Sequence, residues 1–448
     1  MPTTYHADFA WRGGEAAATN VRIEVANGII SAVAENVEPR SGDEHIAGVV
    51  MPGLVNAHSH AFHRALRGRT HNGDGDFWSW RKPMYKVANA LTPENYSELS
   101  AMVYAEMVLS GITGVGEFHY VHHNTDGTAY SDPNEMSFAV VRAAQRAGIR
   151  LAILDAAYLH AGFDQPEPLT EQTRFADKSI DAWLDRVDRL GDGGDGWTIG
   201  LAPHSVRAVY ADELDEIVGA RYGRIVHVHV SEQFEENVAC LAATGKTPTG
   251  VLAEVGLLGS FATAVHATHL TNQDIKLLGS SNTTACFCPT TERDLADGVG
   301  PAVALVNAGT PLALGSDSHA VIDLFEEARA VELNERLITA RRGLHRPGDL
   351  LAAATSGGAH SLGWIELAGR IGIQPGSPAD FIALSLNSTR LASFRAESAA
   401  ACIVYSAAPA DVTDVWIGGR RIVENGLHTN IEDVVNGLRN AITQVVSI

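Results

Sequence analysis

Two histidines one residue apart close an apolar run, Val50-Met51-Pro52-Gly53-Leu54-Val55-Asn56-Ala57-His58-Ser59-His60. On a β-strand successive side chains point to opposite faces, so His58 and His60 aim their imidazoles to the same side. Neutral imidazole is a borderline-soft ligand that suits zinc and iron, and two at the end of a buried strand are metal-site chemistry. The bland alternative is a pair of hydrogen-bonded strand-end histidines. What weighs against it is how the residue type returns downstream. It recurs in Glu117-Phe118-His119-Tyr120-Val121-His122-His123, Pro203-His204-Ser205-Val206-Arg207 and His227-Val228-His229-Val230-Ser231-Glu232. It recurs again in Val265-His266-Ala267-Thr268-His269 and Leu314-Gly315-Ser316-Asp317-Ser318-His319. Each cluster ends an apolar stretch, whereas histidine is scarce elsewhere.

The elements that must carry these clusters alternate. Strand-like runs at Val49–Asn56, Thr113–Phe118, Arg150–Ala156, Thr198–Ala202, Arg224–Val230, Thr263–Ala267, Thr283–Cys288 and Thr310–Leu314 are separated by stretches of helical periodicity. Such alternation implies parallel pairing with right-handed crossovers, and eight repeats suggest a (β/α)8 barrel of the TIM type over residues 49–365. A doubly wound sheet is the alternative. In a barrel the active site lies at the C-terminal ends of the strands, where the histidines fall. The chain ends read differently. Val21–Val25 and Ile29–Val33 flank the hairpin signal Asn27-Gly28, and Ala379–Leu384 and Asp414–Val423 read as strands, the latter around Gly418-Gly419. Neither end can close a core alone, so residues 1–48 and 366–448 are expected to pair into one small β-sandwich.

Composition narrows the function classes. With 448 residues, two structural units are the natural expectation. A formal net charge of −20, from 53 acidic and 33 basic residues, repels phosphate backbones and anionic membranes. Nucleic acid and membrane are therefore not expected as partners. No stretch approaches the roughly 18 apolar residues of a membrane span, and the first residues lack a signal-peptide layout. Cys240, Cys286, Cys288 and Cys402 read as free thiols in a reducing cytoplasm.

His58-Ser59-His60, a later strand-end histidine, another one strand on, and Gly315-Ser316-Asp317 together resemble the amidohydrolase superfamily over nearly the whole chain. The His-x-x-Glu at His229–Glu232 is similar to the deaminase branch of that superfamily. The resemblance implies one divalent metal, zinc with iron as the alternative, held by His58, His60, His229 and Asp317. It also implies that Glu232, His266 and Asp317 handle protons. His227 shares a face with His229, but His229 lies nearer the strand end and three residues before the acid. Two-metal members need a bridging carboxylate, commonly a carboxylated lysine, and no lysine stands at the ends of strands three to five.

The segments Asn56–Phe62, Phe77–Arg81, Glu117–His123 and Cys288-Pro289-Thr290-Thr291-Glu292 further resemble the formimidoylglutamate deiminase family of histidine degradation. That implies a small anionic amidine, N-formimidoyl-L-glutamate, hydrolysed to N-formyl-L-glutamate and ammonia. Two carboxylates want arginine forks, so Arg81 and Arg207 are the candidates, with Tyr120 and His204 as further donors. His63 stands where members of that family often carry Gln. Superfamily analogy favours a homodimer. The alternatives are a deaminase of a purine, pterin or other aromatic amidine, and an inactive scaffold of the same fold. The first would want a stacking pocket; the second usually loses ligands.

Overall fold

The computed structural model describes residues 3–70, 77–365 and 369–446, without the side chains of 77–79. The Phe77-Trp78-Ser79 part of the family-like segment therefore lies outside the described side chains. Strands β1 (Thr3–Trp11), β2 (Ala17–Ala26), β3 (Ile29–Ala34) and β4 (Glu44–Pro52) open the chain. The β2–β3 turn is made by Asn27 and Gly28, both at positive φ (51° and 77°), the geometry that an Asn-Gly hairpin favours. The C-terminal strands β13–β16 join this sheet, because β13 (Phe381–Leu384) pairs antiparallel with β4 and continues to β14 (Val412–Ile417), β15 (Arg420–Glu424) and β16 (Leu427–His428). The sheet curls back on itself: Ala379 N donates to Gly28 O at 2.8 Å and Ile30 N to Ser377 O at 2.9 Å. Tyr5, Phe381 and Trp416 stack edge and face inside it. Both chain ends thus build the small β-sandwich.

Between them lie β5 (Leu54–Ser59), β6 (Ile112–His119), β7 (Arg150–Ala157), β8 (Trp197–Pro203), β9 (Val226–Val230), β10 (Ala262–His266), β11 (Thr284–Phe287) and β12 (Leu312–Leu314). They form one parallel sheet in sequence order. Every residue of β5, β6 and β9–β11 is buried, as expected of parallel strands covered on both faces. The sheet closes into a barrel at the site itself. Ser59 bridges Asp317 in parallel, His60 N donates to Asp317 O at 3.1 Å, and Asp317 N donates to His58 O at 3.0 Å. Asn56 staples the same seam, accepting from Ser316 N at 2.9 Å and donating to Ser316 Oγ at 2.7 Å.

Two expectations are corrected. The run Val49–Asn56 is not one strand: Val49–Pro52 belongs to the end sheet and Leu54–Ser59 to the barrel. Gly53 is the crossing point, its N–H bonded to Asp380 O, and a Cβ there would lie 2.2 Å from the Thr113 side chain. Both sheets bury their part, so hydropathy runs through without a break. Helices beyond the expected ones are also present, among them α1 (Phe77–Ala90), α2 (Phe234–Thr244) and, within the C-terminal region read as strands, α3 (Val434–Val446). α1 contains Pro83, and α2 exposes Phe234, Val238 and Leu241, which hides its apolar face. All four cysteines are free. Among the described residues no helix is long and apolar enough to cross a membrane.

Behind β7 a buried guanidinium organises the loop that leaves β6. Arg186 donates to both oxygens of Asp155 (2.8 and 2.9 Å) and to Asp177 Oδ2 (2.9 Å). Asp177 also takes His123 Nε2 at 3.2 Å. Removing the cation strands two buried carboxylates, so Arg186→Met should cost about 3–5 kcal/mol in urea unfolding. A loss below about 1 kcal/mol would show the cluster to be dispensable.

Candidate active site

The β5 period of two turns His58 and His60 to one side and Ser59 to the other, where Ser59 Oγ donates to Glu117 Oε2 at 2.7 Å. Glu117 also accepts from Ala61 N at 2.7 Å. Burial pushes this carboxyl up to about 8, against the pull of those donors. It thus holds the backbone around the histidine pair from behind.

In front, four side chains converge. His58 Nε2 lies 3.2 Å from His229 Nε2 and 3.4 Å from Asp317 Oδ1, and His60 Nε2 is 3.4 Å from the same oxygen. The tautomers follow from their outer partners. His60 Nδ1 meets Phe118 O at 2.9 Å and His229 Nδ1 meets His204 O at 2.8 Å. A carbonyl only accepts, so both protons sit on Nδ1 and both Nε2 lone pairs face inward. Burial lowers all three imidazole pKa values, favouring the neutral, ligating form. Buried lone pairs facing one another and a carboxylate are costly without a cation between them. The donor set therefore fits a divalent metal.

His227, the rival on the same strand, is engaged elsewhere: its Nε2 meets Ser361 O at 2.8 Å. His119, His122 and Asp155 also gather within ligand distance of one another. There, however, both Asp155 oxygens are already claimed by Arg186.

His266 stands beside the centre, its Nε2 3.8 Å from Glu232 Oε1 and 3.9 Å from Asp317 Oδ2. Its Nδ1 faces Glu292 Oε1 at 3.4 Å, and Glu292 accepts from Cys288 N at 2.8 Å. Burial opposes its charge, but Glu232, Glu292 and Asp317 together hold the imidazole well above its usual range. His266 and Asp317 both sit at positive φ (68° and 42°), strain that the surrounding bonds sustain.

The cavity extends from this centre to a second, cationic end. His60, His63, Arg81, Tyr120, His204, Arg207, His229, Glu232, His266 and Asp317 all line it, with His58 buried just beneath. The structure thus brings every site residue expected from sequence into one place. His63 Nε2 pairs with Tyr120 OH at 2.7 Å, and burial lowers the imidazole to about 3, so it is neutral. His204 packs its ring among Phe118, Tyr120, Tyr158 and His229. Arg207 Nη1 is buried and finds no acceptor among the described residues. Arg81 Nη2 donates to Tyr85 OH.

Sequence reasoning assigned no role to Glu292, Glu117, Tyr85, Tyr158 or Gln172. The first two were visible in the motifs that contain them; the last three carry no local signal.

Residues 49–422 match the model of the amidohydrolase family. The chain belongs to that family and is a hydrolase of carbon–nitrogen bonds. Over 429 residues it is 35% identical to the formimidoylglutamate deiminase of Pseudomonas aeruginosa, covering 93% of each protein. It is 30% identical to the 8-oxoguanine deaminase of the same organism, over 84% of this chain and 83% of that one. The crystal structure of an amidohydrolase from Brucella melitensis superimposes with a TM-score of 0.89 at 32% identity, covering 99% of both chains.

Proposed function

We propose that this hydrolase converts N-formimidoyl-L-glutamate to N-formyl-L-glutamate and ammonia, a step of histidine degradation. The observation that carries the reading is the polarity of the cavity. One end holds the His58, His60, His229 and Asp317 set, and the other holds Arg81 and the unpaired Nη1 of Arg207. A linear amidine carrying two carboxylates spans such a cavity with its reacting carbon at one end and its charges at the other. The likeness to a formimidoylglutamate deiminase supports the same reading.

His58, His60, His229 and Asp317 would hold one divalent metal, with zinc the natural occupant of this nitrogen and oxygen set. When bound, such an ion lowers the pKa of water to about 7 and so supplies a nucleophile at neutral pH. The side chains supply the remainder. His266 keeps its Nδ1 proton on Glu292 and presents Nε2 toward Glu232 and Asp317, where it orients the attacking water. Asp317 accepts the proton that this water loses. Glu232 gives a proton to the substrate nitrogen as the carbon–oxygen bond forms. The hydroxyl so formed then returns its proton to Glu232 while Asp317 hands the proton it took to the departing nitrogen. The carbon–nitrogen bond breaks, ammonia leaves, and the formyl oxygen remains on the product with both side chains restored. Tyr120, tied to His63, and His204 border the path of the substrate.

Ammonia release from N-formimidoyl-L-glutamate by metal-quantified protein tests the reading. Elemental analysis should return about one divalent ion per active chain. Two ions would overturn the ligand set. A second reading, an aromatic amidine as substrate, draws on Trp80 and Phe175 in the cavity wall and on the likeness to 8-oxoguanine deaminase. Faster turnover of a purine than of N-formimidoyl-L-glutamate would decide for it. The superfamily analogy for a homodimer is checked by light scattering.

A further inference from the structure

At the cationic end of the cavity three residues that no motif marks form one hydrogen-bonded unit. Gln172 is fully buried on a short 3-10 turn, Thr170–Gln172, in the long connection after β7. Its orientation is fixed by chemistry. Leu169 N lies 2.8 Å from Gln172 Oε1, and a backbone N–H can only donate, so Oε1 is the acceptor. The amide NH2 must therefore be the face turned to the phenols. It reaches Tyr158 OH at 2.7 Å and Tyr85 OH at 3.0 Å. Both of its hydrogens are spent there.

The phenol oxygens thus act as acceptors. Tyr85 OH accepts a second time, from Arg81 Nη2. Each phenol keeps its own O–H proton to give, and among the described residues no acceptor takes either. Both rings line the cavity beside Arg81 and Arg207. Arg207 acts electrostatically on both phenols. Burial pushes the Tyr85 hydroxyl up to about 12, which keeps it a neutral donor at any working pH. Two donors next to two guanidinium groups in one cavity wall have the composition of a carboxylate receptor.

We propose that Tyr85 and Tyr158 form, with Arg81 and Arg207, the subsite that binds the two carboxylates of a glutamate-type substrate, and that Gln172 is the positioning residue that turns both phenol protons into the cavity. This rests on the dicarboxylate reading above and deepens it. Because one amide bridges both phenols, it also sets the spacing between the two anion positions. On the dicarboxylate reading above, the ligand class is a five-carbon diacid.

The test uses glutarate as the probe, titrated calorimetrically into the metal-loaded full chain, alongside steady-state kinetics on N-formimidoyl-L-glutamate. Gln172→Glu is nearly isosteric. Its carboxylate keeps the bond from Leu169 N but draws the phenol protons away from the cavity. Glutarate affinity should fall at least about tenfold, the scale of a hydrogen bond to a charged group. KM should rise correspondingly while kcat stays within about threefold. Tyr158→Phe and Tyr85→Phe should each weaken glutarate. In the Gln172→Glu background the same changes should add less than about twofold, because the donors are already turned away. Urea midpoints near the parent's certify the fold, and Tyr158→Phe keeps the test open if Gln172→Glu does not fold. Parent-like glutarate binding by Gln172→Glu, or fully additive losses, overturns the proposal. If the parent binds glutarate but releases no ammonia from N-formimidoyl-L-glutamate, the substrate reading fails while the subsite stands. If turnover is present and the KM of Gln172→Glu is unchanged, the subsite fails while the reading stands.

Discussion

Glu232→Gln should fold, retain its metal and lose turnover by about 10²–10⁴-fold, the range that a positioned acid–base group supplies. The expectation follows from position. Glu232 lies two residues past the end of β9 and three past His229, faces His266 Nε2 at 3.8 Å, and borders the cavity. Burial raises its pKa, with a further rise from Asp317 and opposing contributions from His266 and Arg207. A carboxyl in that setting holds a proton long enough to hand it to a leaving nitrogen. Glutamine keeps the shape and the neighbouring contacts but has no proton to transfer. Elemental analysis and circular dichroism verify the metal and the fold, and ammonia release reads the loss. A variant within a few-fold of the parent would remove Glu232 from the proton path and leave His266 or Asp317 to supply it.

The second large effect concerns the arginines. Arg207→Lys and Arg81→Lys should each lower kcat/KM on N-formimidoyl-L-glutamate by at least about tenfold, or 1.4 kcal/mol. Lysine preserves the charge, so the loss measures the planar fork rather than the field. The field cannot be the source of affinity here, since a net charge of −20 opposes a dianion. Short-range pairing must do it, and the unpaired Nη1 of Arg207 is the place for one carboxylate oxygen. N-formimidoyl-L-aspartate, one methylene shorter, should be the poorer substrate because its two carboxylates cannot reach both partners together. Equal rates on the two acids, or lysine variants that match the parent, would return the substrate to the open question of an aromatic amidine.

What could be read from the chain and what could not divide along physical lines. The barrel was legible because its strands are buried on both faces and their apolar runs end abruptly in polar residues. Those ends are where His58, His60, His229, His266 and Asp317 stand. Period-two geometry could not choose between His227 and His229, since both share a face; distance from the strand end made the choice. The transition at Gly53 was invisible because burial continues across it from one sheet to the other. The Gln172, Tyr85 and Tyr158 unit was out of reach for a different reason. Its members come from a helix and a long connection 87 and 14 residues apart in chain separation from Gln172, and only tertiary packing brings them together. Glu292 lay between these cases: its motif was recognisable, but its contact with His266 was not.

β4 has an order of assembly built into it. One of its edges pairs with β1, which precedes it closely, and the other pairs with β13, whose register sets Pro52 opposite Phe381. During synthesis β4 therefore waits for more than three hundred residues with one edge open, and it runs through Gly53 straight into the strand that carries His58 and leads into His60. A nascent chain that has already made the barrel's helices still presents an unpaired apolar edge beside an unfinished catalytic centre. We expect completion of the site to depend on this pairing, made by a strand that contributes no residue to it. Mutations in Phe381–Leu384 should consequently show themselves as poor yield and metal-free protein, long before any change in the chemistry of the molecules that do fold.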